Sequence, residues 1–184
     1  MMQQKFQVFT DDEKKFILEN VLSSHTEYMN ARHLGTDGAS KNKWNHTEYD
    51  HPMMCLRLVQ RNSDKEGVPC SDLWDFFEPI FHRTRKSMNL PFSHVLRASI
   101  NLTFYSPDIY GNIHKDHYTV DHYNMIMHLS PISQGGTFIF DEDHNIIEES
   151  SATVWSATSF GGLWHAQGFC APDETRAVVV ITWS

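Results

Sequence analysis

His114 and Asp116 stand two residues apart in GNIHKDH, His165 follows in GLWHAQG, and Arg176 comes eleven residues after that. A histidine and an aspartate at i and i+2 of an extended segment project to the same side of the backbone, so the pair can hold one ion together. Two imidazoles and a carboxylate on one face of a metal, with the opposite positions open, form the donor set of non-haem Fe(II) sites. A dicarboxylic oxo-acid chelating such an ion through its 2-oxo acid end leaves a distal carboxylate. A guanidinium binds that carboxylate through a fork of two charge-assisted hydrogen bonds, the task for which Arg176 is suited.

The His-x-Asp pair alone carries little weight, because a chain with 12 histidines is expected to hold roughly one by chance. Two His-x-Glu pairs compete with it, His25-Thr26-Glu27 and His46-Thr47-Glu48, but neither has a matching downstream set. Order gives the His-x-Asp pair its force. Asp116 is followed by a strand, a Gly-Gly turn, two more strands, His165 and then Arg176 at the start of RAVVVITW. A third ligand must come from a neighbouring strand. A hairpin through CAPDET is expected to return Arg176 beside His165.

The elements that would position these residues follow from apolar periodicity. DDEKKFILENVL, residues 11 to 22, has acidic residues in its first turn and apolar ones near one face, which predicts an amphipathic helix. Residues 35 to 53 are dense in Gly, Ser, Asn and Asp without apolar period and read as a long loop, of the length that often serves as a lid. MMCLRLVQ at 53 to 60 predicts a strand, and residues 71 to 88 a second helix capped by Ser71, with Pro79 early in it or at a kink. After residue 94 the chain turns to short β-rich runs: VLRASINLTFY, YNMIMHL, GTFIF, ATVWSA and RAVVVITW. Their connections are too short for parallel crossovers, so an antiparallel sandwich or barrel with helices on one side is expected.

Composition sets the outer limits. The 184 residues, 40% hydrophobic and 21% charged, suit one folded domain. The net charge of −8 argues against a broad nucleic-acid groove, which needs Lys and Arg to neutralise phosphates. Cys55, Cys70 and Cys170 form neither a CxxC pair nor a disulfide framework, as expected of reduced thiols in a cytoplasmic protein. The amino-terminal residues lack the apolar run of a signal peptide, and no stretch reaches the roughly 18 apolar residues of a membrane span.

INLTFYSPDIYGNIHKDH, NMIMHLSPISQGGTFIF and FGGLWHAQGFCAPDETRAVVVITW, about a third of the chain, resemble the catalytic core of the Fe(II)- and 2-oxoglutarate-dependent oxygenases. The resemblance is particularly to the prolyl-hydroxylase-like branch, with its short bacterial and phage versions. It implies a double-stranded β-helix, or jelly roll, over 94–184, with 1–93 as a helical and loop support region that holds much of the substrate choice. It also implies iron ligands His114, Asp116 and His165, an oxo-acid-binding Arg176, and the cofactors Fe(II), 2-oxoglutarate and O2, with ascorbate as a stimulant. Tyr105 resembles a tyrosine that lines the oxo-acid pocket. His128 stands where relatives often have a tyrosine at the distal carboxylate. The strand's alternation places Asn124 and Ile126 on the face of His128, which adds Asn124 to the cosubstrate candidates.

The activity implied is hydroxylation of an unactivated C–H bond with release of succinate and CO2. Asp116 argues against halogenation, which generally needs that carboxylate replaced. The substrate class implied is a peptide or protein side chain, prolyl in type. A free amino acid or small metabolite is the alternative, and a jelly-roll metal- or ligand-binding module without turnover is a different class altogether.

Blander roles compete for the remaining residues. Gly135-Gly136 reads as a tight turn. His117, Asp121 and His122 read as a polar loop at the mouth of the site. Trp44, Tyr49 and Trp74 read as core anchors before groove residues. Arg97 reads as a solvated or salt-bridged arginine that shares a strand face with Tyr105.

Overall fold

The structure, a computed structural model, describes residues 1–23, 26, 28–31, 53–63 and 65–184. Of the expected loop over 35–53, residues 35–52, with Trp44, Tyr49 and the His46 pair, lie outside the described residues, as do His25 and Glu27, while Met53 begins a strand.

Helix α1, Asp11–Phe16, begins at Thr10, whose hydroxyl accepts from the Glu13 amide while the Glu13 carboxylate accepts from the Thr10 amide. This reciprocal cap satisfies two donors that a helix start otherwise leaves open. The expected helix then continues differently, as a π-helical turn over Ile17–Val21 that buries Ile17 and Val21. Helix α2, Leu73–Ser87, runs on through Pro79 and buries Trp74, Phe77, Ile80, Phe81 and Thr84. Trp74 is therefore a core residue. The Ser71 hydroxyl accepts from the Leu73 amide, two residues away.

The described strands are β1 Gln3–Lys5, β2 Met29–Ala31, β3 Met53–Asn62, β4 Lys65–Pro69, β5 Val95–Phe104, β6 Tyr123–His128, β7 Thr137–Phe140, β8 Ile146–Glu149, β9 Ala157–Gly161, β10 Trp164–Gln167 and β11 Thr175–Trp183. Eight form a large antiparallel sheet in the order β1-β9-β6-β11-β5-β3-β2, with β4 paired to β3. Three form a smaller antiparallel sheet, β10-β7-β8. This is the expected antiparallel β sandwich with helices on one side. The region before residue 94 does more than support it, since β1 to β4 add strands to the large sheet.

Two expectations fail on pairing. ATVWSA is not a strand: residues 152–156 turn, with Trp155 at φ 63°, and the strand begins at Ala157. The hairpin through CAPDET does not form either. One edge of β10 pairs with β7 and the other with the segment around Tyr110 and His114, whereas β11 lies between β5 and β6 in the large sheet. With both edges of β10 taken, the chain after it crosses to the opposite layer.

Alternation sorts the side chains into three layers. The outer face of the large sheet, with Ala98, Ile100, Met125, Met127, Val179, Ile181 and Trp183, packs against Trp74, Phe77, Ile80 and Phe81 of α2. Between the sheets lie Ile126, Ile139, Phe160 and Val178. The outer face of the small sheet has its own cluster of Phe138, Phe140 and Ala166, with Tyr110, Ile113 and Trp164 packed on it. Gly135-Gly136 makes the turn into β7. Gly135 has φ +102°, and a Cβ on Gly136 would lie 2.0 Å from the Ser150 carbonyl oxygen, so both positions need glycine.

Trp183 ties the helix layer to the sheet: it is fully buried, its indole N–H donates to the Pro91 carbonyl at 2.8 Å, and its ring meets Phe81 and Tyr123. Replacing a buried Trp with Ala costs about 3–5 kcal/mol, so urea unfolding of Trp183→Ala should show a loss of that size. A loss below about 1 kcal/mol, the range of a surface change, would mean the layer does not depend on it.

Candidate metal and oxo-acid site

His114 and His165 face each other as a directly opposed antiparallel pair, each donating its amide to the other's carbonyl at 2.9 Å. Opposed residues send their side chains to the same face, and the two imidazoles lie 4.4 Å apart by ring centroid. Each ring is oriented by its own strand: His114 Nδ1 lies 2.9 Å from the Asn112 carbonyl oxygen and His165 Nδ1 lies 2.9 Å from that of Leu163. A carbonyl cannot donate, so both Nδ1 atoms carry a proton, and it is Nε2 that presents the lone pair when either ring is neutral.

Asp116 completes the group. Its Oδ2 lies 3.5 Å from His165 Nε2 and its Oδ1 3.7 Å from His114 Nε2, with the three donor atoms mutually within 4.8 Å. Metal–ligand bonds of about 2.1 Å meeting near right angles put neighbouring donors roughly 3 Å apart, close to these separations. Asp116 is 3% exposed, and Oδ2 is buried with no hydrogen-bond partner. A buried carboxylate facing two imidazole lone pairs, with one oxygen orphaned, is costly unless a cation sits there, so the donor set fits a divalent metal. Burial alone would raise the carboxyl pKa, but Arg97, His165 and His114 hold it well below the usual range, as a deprotonated ligand requires.

The neighbouring residues brace this arrangement from behind. Lys115 and Trp164, each adjacent to a ligand, point to the other face and converge on Glu142, whose two oxygens accept from Lys115 Nζ and Trp164 Nε1, both at 2.9 Å. Lys115 also lies over the Trp164 ring. These contacts hold the Glu142 carboxyl below its ordinary pKa.

Arg176 is 2% exposed on the inner face of β11. Its Nε donates to the Gly135 carbonyl at 2.7 Å and its Nη2 to Thr137 Oγ1 at 3.4 Å, while no carboxylate of the described residues pairs with it. Burial lowers its pKa to about 10, which still leaves it charged near neutrality. A buried guanidinium without a counter-ion calls for an anionic ligand. Nearby on the same face, His128 has both ring nitrogens buried and unpartnered, as is Asn101 Oδ1. Burial, then Arg176, lowers the His128 pKa to about 3, so this imidazole is neutral.

The other sequence candidates fall in varied places. Asn124 does share the inner face with Ile126 and His128. Its Oδ1 accepts from the Thr182 hydroxyl at 2.8 Å, and its Nδ2 is buried without a partner. Tyr105 follows the end of β5, is 46% exposed and forms no side-chain hydrogen bond. His117 and His122 are buried, not solvated, and their rings meet edge to face at 5.2 Å. His122 fills the space that a Cβ at Gly162 would need. Asp121 is exposed. Arg97, read from the sequence as a solvated or salt-bridged arginine, and Arg61 and Glu142, which spacing did not single out, all fasten the segment that carries His114 and Asp116: Arg97 donates to Asp116 Oδ1, Arg61 to the Asp116 carbonyl, and Glu142 accepts from Lys115.

No family model matches the chain, and no curated protein matches it in sequence. Solved structures do. The chain is similar to an oxidoreductase of the 2OG-Fe(II) oxygenase family from Burkholderia pseudomallei, with TM-score 0.71, 11% identity, and coverage of 100% of this chain and 84% of that one. It is also similar to a prolyl-4-hydroxylase from Pseudomonas putida, with TM-score 0.56, 11% identity, and coverage of 99% and 90%. A third is the epimerase SnoN in complex with Fe3+, alpha-ketoglutarate and nogalamycin RO, with TM-score 0.56, 11% identity, and coverage of 100% and 78%. The shared property is the fold, the double-stranded β-helix of the 2OG-Fe(II) oxygenases.

The buried imidazoles predict the acid limb of stability. His128 and His165 have folded pKa values lowered to about 3 and about 4, each by burial first, against about 6.5 in the unfolded chain. Between those limits the unfolded state binds more protons, so stability present above pH 6.5 is lost as pH falls, by up to about 1.4 kcal/mol per pH unit for each group. Urea unfolding of the metal-free protein at pH 7, 6 and 5 should show this loss, and His128→Gln should reduce its slope. An unchanged slope in His128→Gln would show that His128 is not held neutral by the fold.

Proposed function

We propose that the chain is an Fe(II)- and 2-oxoglutarate-dependent oxygenase that hydroxylates an unactivated C–H bond, with a peptide or protein side chain as its substrate. The observation that carries this reading is the buried Asp116 carboxylate, with Oδ2 partnerless beside His165 Nε2 and Oδ1 facing His114 Nε2, on a sheet pair that also buries an Arg176 with no carboxylate partner among the described residues. A metal-binding barrel needs only the first of these. The second is what an oxo-acid with a distal carboxylate requires.

Iron bound there would supply O2 activation coupled to oxidative decarboxylation, so that C–H, O2 and 2-oxoglutarate become C–OH, succinate and CO2. The chain's own residues bind and orient. His114 and His165 present Nε2 with their tautomers fixed by backbone carbonyls, and Asp116 contributes the negative charge. Arg176 takes the distal carboxylate of 2-oxoglutarate, beside the apolar cluster of Val178 and Ile126. His128, being neutral, can share a hydrogen bond there without adding charge.

The peptide substrate rests on the likeness to a prolyl-4-hydroxylase. A small-molecule substrate is the second reading, supported by an equal TM-score to an epimerase whose complex contains nogalamycin RO.

Anaerobic addition of Fe(II) and 2-oxoglutarate to the folded protein should give the weak visible charge-transfer band of the chelate. Its absence would remove the oxygenase reading. His165→Ala and Asp116→Ala should abolish succinate formation, whereas Arg176→Ala should chiefly raise the 2-oxoglutarate concentration needed, by roughly 10-fold or more for loss of a charge-assisted pair. An unaltered requirement in Arg176→Ala would show that the oxo-acid lies elsewhere. Mass spectrometry of peptide and metabolite pools for an enzyme-dependent added oxygen separates the two substrate classes.

A further inference from the structure

Resting on the reading of His114, Asp116 and His165 as a metal centre, we infer that Arg97 is a positioning residue that reserves one oxygen of Asp116 and leaves only Oδ2 for the metal. Arg97, Thr182 and Asn124 form one row across three strands, because Thr182 pairs with Arg97 on β5 and with Asn124 on β6. Their side chains make a chain whose direction is fixed. Arg97 Nε can only donate, so Thr182 Oγ1 accepts from it at 3.2 Å. The single hydroxyl proton of Thr182 therefore goes to Asn124 Oδ1 at 2.8 Å. The far end of the same guanidinium, Nη2, donates to Asp116 Oδ1.

Asp116 is thus gripped at one oxygen by a group that is itself held in the large sheet, while the His pair belongs to the small-sheet side. Arg61 adds a second hold through the Asp116 carbonyl at 3.1 Å. The contact with Arg97 spans the two layers at the point where the donor atoms must stay in register. It also stops the carboxylate from turning to offer both oxygens to one ion, which would occupy a coordination position that an oxo-acid and O2 need.

Lysine cannot replace this function, because one ammonium on a flexible stem cannot donate to Thr182 and Asp116 through a rigid plane. Charge and geometry can therefore be separated experimentally. Mn(II) binding would be measured by calorimetry on the metal-free wild type, Arg97→Lys, Arg97→Met and Thr182→Val, with thermal unfolding of each metal-free protein as the folding control. If Arg97 positions the ligand, Lys and Met should both weaken Mn(II) binding by about 10-fold to 100-fold. Thr182→Val, which keeps both charges and removes only the anchor, should weaken it by roughly 3-fold to 10-fold. Wild-type affinity in Arg97→Lys, or tighter binding in Arg97→Met as expected of simple charge repulsion, would overturn the inference. Should Arg97→Met not fold, unchanged affinity in Thr182→Val would overturn it equally. A wild type that binds no Mn(II) would instead overturn the metal centre on which the inference rests.

Discussion

Two backbone hydrogen bonds, between His114 and His165, set the geometry on which the site depends. Because the residues are directly opposed in an antiparallel pair, their imidazoles share a face without help from either side chain. Their neighbours Lys115 and Trp164 are sent to the other face, where Glu142 joins them. Asp116, two residues beyond His114, returns to the inner side. One pairing register therefore places two of the three candidate donors, starts the third and builds the brace behind them. A slip of one residue would send every one of these groups to the wrong side.

Charge distribution follows a similar economy. The chain carries a net charge of −8, yet two arginines sit between its sheets: Arg176, which is fully enclosed, and Arg97, which is partly so. Arg97 is compensated by Asp116. Among the described residues, Arg176 is satisfied by a carbonyl and a hydroxyl and by no carboxylate. A buried cation left in that condition costs stability in the ligand-free protein, and an anionic ligand recovers it on binding. Opposite formal charges are thus presented at two places in one interior, a carboxylate with an orphaned oxygen and a guanidinium with no carboxylate partner among the described residues.

Much of this was legible in the sequence, for identifiable reasons. The grouping of His114, Asp116 and His165 was legible because a metal constrains residue types, and β5, β6 and β11 because short β-rich runs bounded by turn residues have few other readings. Pairing was harder. RAVVVITW reads equally well as the hairpin partner of GLWHAQG or as a strand of another sheet, since edge occupancy depends on residues around Tyr110 that carry no strand pattern. ATVWSA has β-favouring residues, yet a positive φ at Trp155 and the demands of β9 override them. A salt bridge at Arg97 was one sequence reading, but its partner Asp116 was not visible, because contacts between layers have no local signature. The burial of His117 and His122 escaped for a related reason: a polar cluster reads as a loop at the mouth of the site until His122 is seen packed against Gly162, where a Cβ would meet its ring.

The central claim is that the interior binds a metal and a dicarboxylic oxo-acid as one unit, the first through the His-Asp-His group and the second through both that metal and Arg176. Calorimetric titration of the protein with 2-oxoglutarate, with and without saturating Mn(II), tests it most directly. The account predicts one site per chain that binds 2-oxoglutarate when Mn(II) is present and at least 10-fold more weakly when it is absent. Equal binding in the two conditions, or none in either, would contradict it.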